Sequence, residues 1–162
     1  MEDLAGWFND TKFNIMIILN KKLPDGQLKP IIHKGDNPER VGEIMTEKEL
    51  HGFGVGVLVG FFYNQKGKLF RCNHNISNDY PHIVVESPKD GLLYVWVKTA
   101  MYPSIPSIES IESQEEVINL ANQFNAIPVF AGLRLSCKST EKNSIPVYGG
   151  SYIAEFTGLK LF

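Results

Sequence analysis

The residues of this chain whose types could do chemistry together are Asp79, His82, Glu86, Trp96 and Lys98. They fall on or beside two predicted strands, His82–Glu86 and Leu92–Thr99, which the tight turn Lys89-Asp90-Gly91 joins as a hairpin. Centring that hairpin on Asp90 sets His82 opposite Lys98, Val84 opposite Trp96 and Glu86 opposite Tyr94. Side chains alternate along a strand with period two, so these six share one face. His82, Trp96 and Lys98 then form one cluster, and a slip of one residue would move a strand's set to the other face. An imidazole can ligate Zn²⁺, Mn²⁺ or Ni²⁺, and a lysine can position or activate a water. Glu86 is on the face of His82 but about 13 Å along the strand, too far to share one metal. Asp79, in the turn before the strand, is the best candidate for a carboxylate that joins the cluster, and Glu47 or Glu49 could approach from the side. Each residue also has an ordinary reading. Lys98 is then a solvated strand-end lysine, His82 a hydrogen-bonded and partly buried histidine, Asp79 a turn residue, and the two glutamates helix caps. His33, His51 and His74 are scattered, with no ligand spacing.

These residues need elements to hold them. Residues 13–20 and 28–34, separated by the turn signal Leu23-Pro24-Asp25-Gly26, predict an N-terminal hairpin with Pro30 on an edge strand. Thr46-Glu47-Lys48-Glu49 is a capping box that opens a helix from about 47 to 63. Leu50, Phe53, Val57, Leu58 and Phe61 give its buried face at helical spacing. Gly52, Gly54, Gly56 and Gly60 are poor helix formers, each costing up to about 1 kcal/mol against alanine, and point to close approach of helix to sheet. Gly67 ends the segment. Strands follow at 69–74, 82–86 and 92–99, and 102–113 is a loop rich in Pro, Ser, Ile and Glu. Ser113 to Glu116 is a second capping box, opening a helix through about Asn125 with Val117, Leu120, Ala121 and Phe124 inward. Residues 127–136 are a buried strand and 137–147 a polar loop, and 151–156 with 159–162 can pair as a terminal hairpin.

With 162 residues the chain fits a single domain, 1–162, large enough to bury roughly 70% of its unfolded surface. A net charge of −2 argues against a strongly basic nucleic-acid binder, whose affinity comes mainly from phosphate neutralisation. Cys72 and Cys137 read as two free, buried thiols. The N-terminus carries acids rather than a basic segment and does not read as a secretory signal. The longest apolar run, Phe53 to Tyr63, is too short and too glycine-rich to span a bilayer. No membrane association and a cytoplasmic location are therefore expected.

The order helix, strand, strand, strand, helix, strand resembles the core of the PD-(D/E)XK nuclease superfamily. The resemblance rests on Tyr80-Pro81-His82-Ile83-Val84-Val85-Glu86 and on Gly91-Leu92-Leu93-Tyr94-Val95-Trp96-Val97-Lys98-Thr99. Such nucleases start one strand with Pro-Asp and carry an acidic-x-Lys triplet on the next. The helix at 114–124 and the strand Ala126-Ile127-Pro128-Val129-Phe130-Ala131-Gly132 also look like the family, and the similarity covers about 46–136. It implies a restriction-endonuclease-like α/β fold: a three-layer core with a mixed sheet flanked by helices, here with N-terminal and C-terminal hairpins added. The frame and Lys98 are present, but His82 stands for the aspartate and Trp96 for the second acid. Mg²⁺ needs oxygen ligands, which neither supplies. Trp96 is expected to fill the former metal cavity with apolar bulk.

Three functional readings follow. In the first, catalysis is lost, no metal or other cofactor is bound, and His82, Trp96 and Glu86 mark a pseudo-active site in a domain that acts by binding or assembly. Its partners would be a nucleic acid, on Lys66, Lys68 and Arg71 interleaved with Phe70, or a second copy joined through edge strands. In the second, the chain is an active nuclease that binds Mg²⁺ or Mn²⁺ and uses Lys98, Asp79 and a helix glutamate. In the third, it is a small interaction or immunity-type protein that shares only the α/β layout. That reading gains if the hairpin does not bring His82 against Lys98.

Overall fold

A computed structural model describes residues 16–22, 28–33, 42–74, 80–108, 110–138, 143–147 and 152–162. Strands β1 (Met16–Lys22) and β2 (Leu28–His33) pair antiparallel, with Leu19 opposite Pro30, as the N-terminal hairpin predicts. The turn expected at 23–26 lies outside the described residues, as does Asp79. Helix α1 (Glu47–Asn64) and strands β3 (Lys68–Cys72), β4 (Ile83–Ser87) and β5 (Gly91–Met101) come next. Helix α2 (Ile111–Gln123) and strands β6 (Ile127–Lys138), β7 (Asn143–Ser144) and β8 (Tyr152–Leu161) complete the order.

The main sheet is mixed. β3, β4 and β5 run antiparallel in sequence, while β6 lies parallel to β5 after the α2 crossover, with Lys98 paired to Gly132. Beyond the end of β5, Cys137 of β6 pairs with Ser144 on β7, and β8 runs antiparallel to β6. Alternation along the strands makes two faces. Ile83, Val85, Val95, Val97, Leu133 and Leu135 are buried with α1, whereas Tyr94 packs with Ala121 and Ala126 on the side of α2. The result is the expected three-layer α/β architecture, a mixed sheet flanked by helices.

Local chemistry explains the starts and stops. The Thr46 hydroxyl accepts the Glu49 N–H at 3.3 Å, and the Glu49 carboxylate accepts the Thr46 N–H at 2.8 Å, closing the predicted capping box. At the other end Lys66 takes a positive φ of 60° and the Gly67 N–H donates to Phe62 O at 2.8 Å. A Cβ on Gly67 would lie 2.9 Å from Val85 Cγ2, so the chain can pass there only without a side chain. Within α1, a Cβ on Gly54 would stand 1.8 Å from Thr99 Oγ1. This is the close approach of helix to sheet that the glycine content implied. α1 is buried more broadly than one face, since Val55 and Val59 are buried as well as Leu50, Phe53, Val57 and Leu58. A helix apolar on most sides belongs inside a domain.

Four expectations are corrected. α2 begins at Ile111, because Ser110 and not Ser113 is the N-cap; its hydroxyl accepts the Ser113 N–H at 3.1 Å. Of its expected inward residues Val117 and Ala121 are buried, but Phe124 is the C-cap and is exposed. The C-terminal hairpin is absent. Residues 152–161 form one strand along β6, and Gly158, with φ of 91°, sits at a register shift rather than at a turn. The segment at 137–147 is not all loop, since β6 continues to Lys138 and β7 pairs with it.

Candidate functional site

β4 begins at Ile83, so His82 stands just outside the strand. The observed register pairs Ile83 with Val95 and Val84 with Tyr94. It differs from the expected alignment by two residues, which preserves the faces but sets His82 level with Trp96 instead of Lys98. His82 ties the sheet end together. Its N–H donates to Val95 O at 3.0 Å, its carbonyl accepts the Asn73 N–H at 2.7 Å, and its Nδ1 accepts the Val97 N–H at 3.0 Å. The imidazole therefore supplies the acceptor that a further strand residue would have offered. A ring nitrogen that accepts carries no hydrogen, so in this network the neutral ring holds its proton on Nε2.

His51, in the second turn of α1, meets this ring edge to face with centroids 4.6 Å apart. Both histidines are buried. His51 Nε2 lies 3.4 Å from Asn73 O. Burial lowers the His51 pKa, the Asn73 carbonyl opposes that, and the positive charges of His74 and Lys98 lower it further. His74 Nε2 is 3.2 Å from Cys72 Sγ. Burial lowers the His74 pKa against a backbone hydrogen bond at Gly52, and burial pushes the Cys72 thiol up to about 12. The fold thus gathers histidines that look scattered in sequence. No spacing links residue 51 to residues 74 and 82, because they arrive on a helix and on the two ends of the β3–β4 connection.

The other expected site residues are placed as follows. Trp96 stacks on Phe162, with centroids 6.1 Å apart and rings inclined by 22°, and Tyr80 flanks it at 6.1 Å. Lys98 is half-buried, level with Gly132. The loop after β5 crosses the sheet there, since a Cβ on Gly132 would meet Pro106 Cγ at 3.0 Å. Glu86 is exposed near the opposite end of β4, paired with Lys68 and Leu92. The Glu49 carboxylate serves the α1 cap and Glu47 is exposed. Lys66, Lys68, Phe70 and Arg71 are exposed on and beside β3, with Lys68 Nζ 5.0 Å from the Phe70 ring centroid.

These donors do not suit the Mg²⁺ that a PD-(D/E)XK site would hold. The indole of Trp96 offers no ligand, Nδ1 of His82 is already an acceptor for Val97, and Glu86 stands away from both. Among the described residues, no group of three His, Cys, Asp or Glu side chains is placed to hold a metal. No helix among them is long and apolar enough to cross a membrane. Compared with known proteins, residues 48–162 match the model of a family described as Domain of unknown function (DUF8840). No curated protein and no solved structure matches the chain.

Proposed function

The chain belongs to the DUF8840 family, and we propose that it is a nuclease-like domain that has lost hydrolysis and acts by binding or assembly. The observation that carries this reading is the state of the two positions where the resemblance calls for carboxylates. Trp96 is stacked on Phe162, and His82 spends its Nδ1 on the Val97 N–H. A polar metal cradle has become a packed sheet end. Lys98 follows Trp96 by two residues on β5, but a lysine without an activated water or a metal has no phosphodiester chemistry to assist.

One observation favours a second reading. The hairpin aligns His82 with Trp96 rather than Lys98, which suits a small interaction protein that has only the layered α/β layout in common with nucleases. The test is cleavage of single- and double-stranded DNA and RNA with Mg²⁺ or Mn²⁺, comparing the purified chain with Lys98→Ala. No cleavage by either protein is the expected result. Cleavage by the native chain that disappears in Lys98→Ala would overturn the proposal and return Asp79 or a helix glutamate to a catalytic role. Retained binding of nucleic acid without cleavage would separate the first reading from the second.

A further inference from the structure

We propose that the bulged strand β3, with Phe70 at its centre, is a binding face for single-stranded nucleic acid held without regard to sequence. This rests on the binding reading above and names its partner. β3 stands at one end of the main sheet, with β4 as its neighbour. Leu69 pairs with Val85 and Cys72 with Ile83, and all four belong to the core under α1. Lys68 pairs with Glu86 and Arg71 with Val84, so these residues lie on the opposite face. The register shifts between Leu69 and Arg71, where Phe70 is the extra residue. A bulge of this kind sets two residues, Phe70 and Arg71, against the single Val84. Lys68 Nζ lies 5.0 Å from the Phe70 ring centroid, which puts the ring on the Lys68 face.

That face is open toward β3. α2 packs on β6 and meets Tyr94 through Ala121. Beyond it, on β3 and β4, Lys68, Phe70, Arg71 and Glu86 are exposed and Val84 is half-buried. Phe70 is 55% exposed, so the fold leaves a large ring in water with a cation on either side of it in sequence.

A ring flanked by cations matches the chemistry of a nucleotide strand. A base stacks on the ring while the ammonium and guanidinium meet phosphates. Every base has a π-face, so such stacking tolerates any sequence. A duplex keeps those faces in its own stack, which makes an unpaired strand the fitting partner. The charge is complementary as well. Lys66, Lys68 and Arg71 are exposed in the turn into β3 and on β3 itself, and the strands β3, β4 and β5 carry one acid, Glu86, across from Lys68. The chain as a whole is at −2, so this is a local departure from its overall charge. An apolar peptide would use Phe70 but not the cations, and an acidic peptide the cations but not the ring.

Fluorescence anisotropy of a labelled oligothymidylate of about 12 nucleotides tests this, against a duplex of the same length and a polyglutamate peptide of the same charge. The native chain should bind the single strand, more weakly as salt rises from about 50 to 200 mM. Phe70→Ala should weaken binding by about five- to a hundredfold and leave the salt dependence unchanged, because the ring carries no charge. Arg71→Gln should weaken binding and lower the slope of log affinity against log salt by about 0.7, the share of one phosphate contact. Glu86→Gln should tighten binding. No binding by the native chain, equal binding of the duplex or the peptide, or an unchanged affinity in Phe70→Ala would overturn the proposal. Should a variant fail to fold, NMR amide shifts of the native chain decide. Changes at residues 66–71 and Val84 on adding the oligonucleotide support the face, and changes confined to other segments refute it. A gel of the same mixtures with Mg²⁺ separates this inference from the wider reading. Cleavage of the oligonucleotide overturns the loss of hydrolysis, whereas intact oligonucleotide bound without regard to Phe70 and Arg71 overturns this face alone.

Discussion

The ring of His82, one residue before the start of β4, does the work of a strand carbonyl: its Nδ1 accepts the N–H of Val97 at 3.0 Å. The position that resembles a catalytic aspartate is therefore a piece of the ladder. His82→Ala should leave the Val97 N–H buried without an acceptor and cost about 1–3 kcal/mol in urea denaturation. His82→Asn, whose side-chain carbonyl can still accept, should lose less. Equal losses in both variants would show that the ring's packing on His51 matters and its acceptor does not.

Gly54 and Thr99 make the closest approach between α1 and the sheet. Gly54→Ala would place a Cβ 1.8 Å from Thr99 Oγ1, so helix or strand must shift. An overpacked core of this kind costs about 1–3 kcal/mol, read as a lower midpoint of thermal or urea unfolding. Thr99 Oγ1 is buried with no hydrogen-bond partner. Thr99→Ala alone should then be close to neutral or stabilising, and in combination it should recover most of the Gly54→Ala loss.

Stability should fall in mild acid. His51 and His74 both titrate below their ordinary value of 6.5 because burial disfavours the charged ring. Each binds fewer protons folded than unfolded, so its contribution is complete above 6.5 and is lost as pH falls below that value toward the lowered pKa. Urea midpoints measured through this range should decrease with acid, and His51→Phe should reduce the slope. A midpoint that stays level through the range would contradict both shifts.

Cys72 should be inert in the native chain. With its thiol pushed up to about 12, the thiolate fraction near pH 8 is roughly a thousandfold below that of a free cysteine. Alkylation followed by peptide mass spectrometry should find Cys72 unmodified in buffer and modified in denaturant. Rapid labelling of the folded chain would mean that this corner opens readily at neutral pH.

Trp96, on the strand that carries Lys98, is stacked on Phe162, the residue that follows β8. A double-mutant cycle of Trp96→Ala and Phe162→Ala should yield a coupling of about 0.5–1.5 kcal/mol, as expected of an aromatic pair. No coupling would mean that the two rings bury their area independently.

Several features were legible in the residues. Thr46 and Glu49 announce the start of α1, because a capping box satisfies helix-end N–H groups through side chains three residues apart. Lys89-Asp90-Gly91 announces the β4–β5 turn, and Gly91 indeed takes a positive φ of 87°. Gly158 misled for a related reason. A left-handed glycine serves a turn or a bulge equally well, and only the presence of β6 alongside makes it a bulge. Ser110 and Ser113 are both good caps, and the fold uses Ser110, whose hydroxyl accepts the Ser113 N–H.

By itself, then, the sequence determined most of the element types up to β6, the α/β layering and which residues of β4 and β5 share a face, because those follow from short-range periodicity and local hydrogen bonding. The tertiary structure alone decided the two-residue alignment of the hairpin, the meeting of His51 with His82, and the use of Nδ1 as a ladder acceptor. Those depend on contacts between segments that are distant in the chain, and a period in one segment carries no information about where another will dock against it.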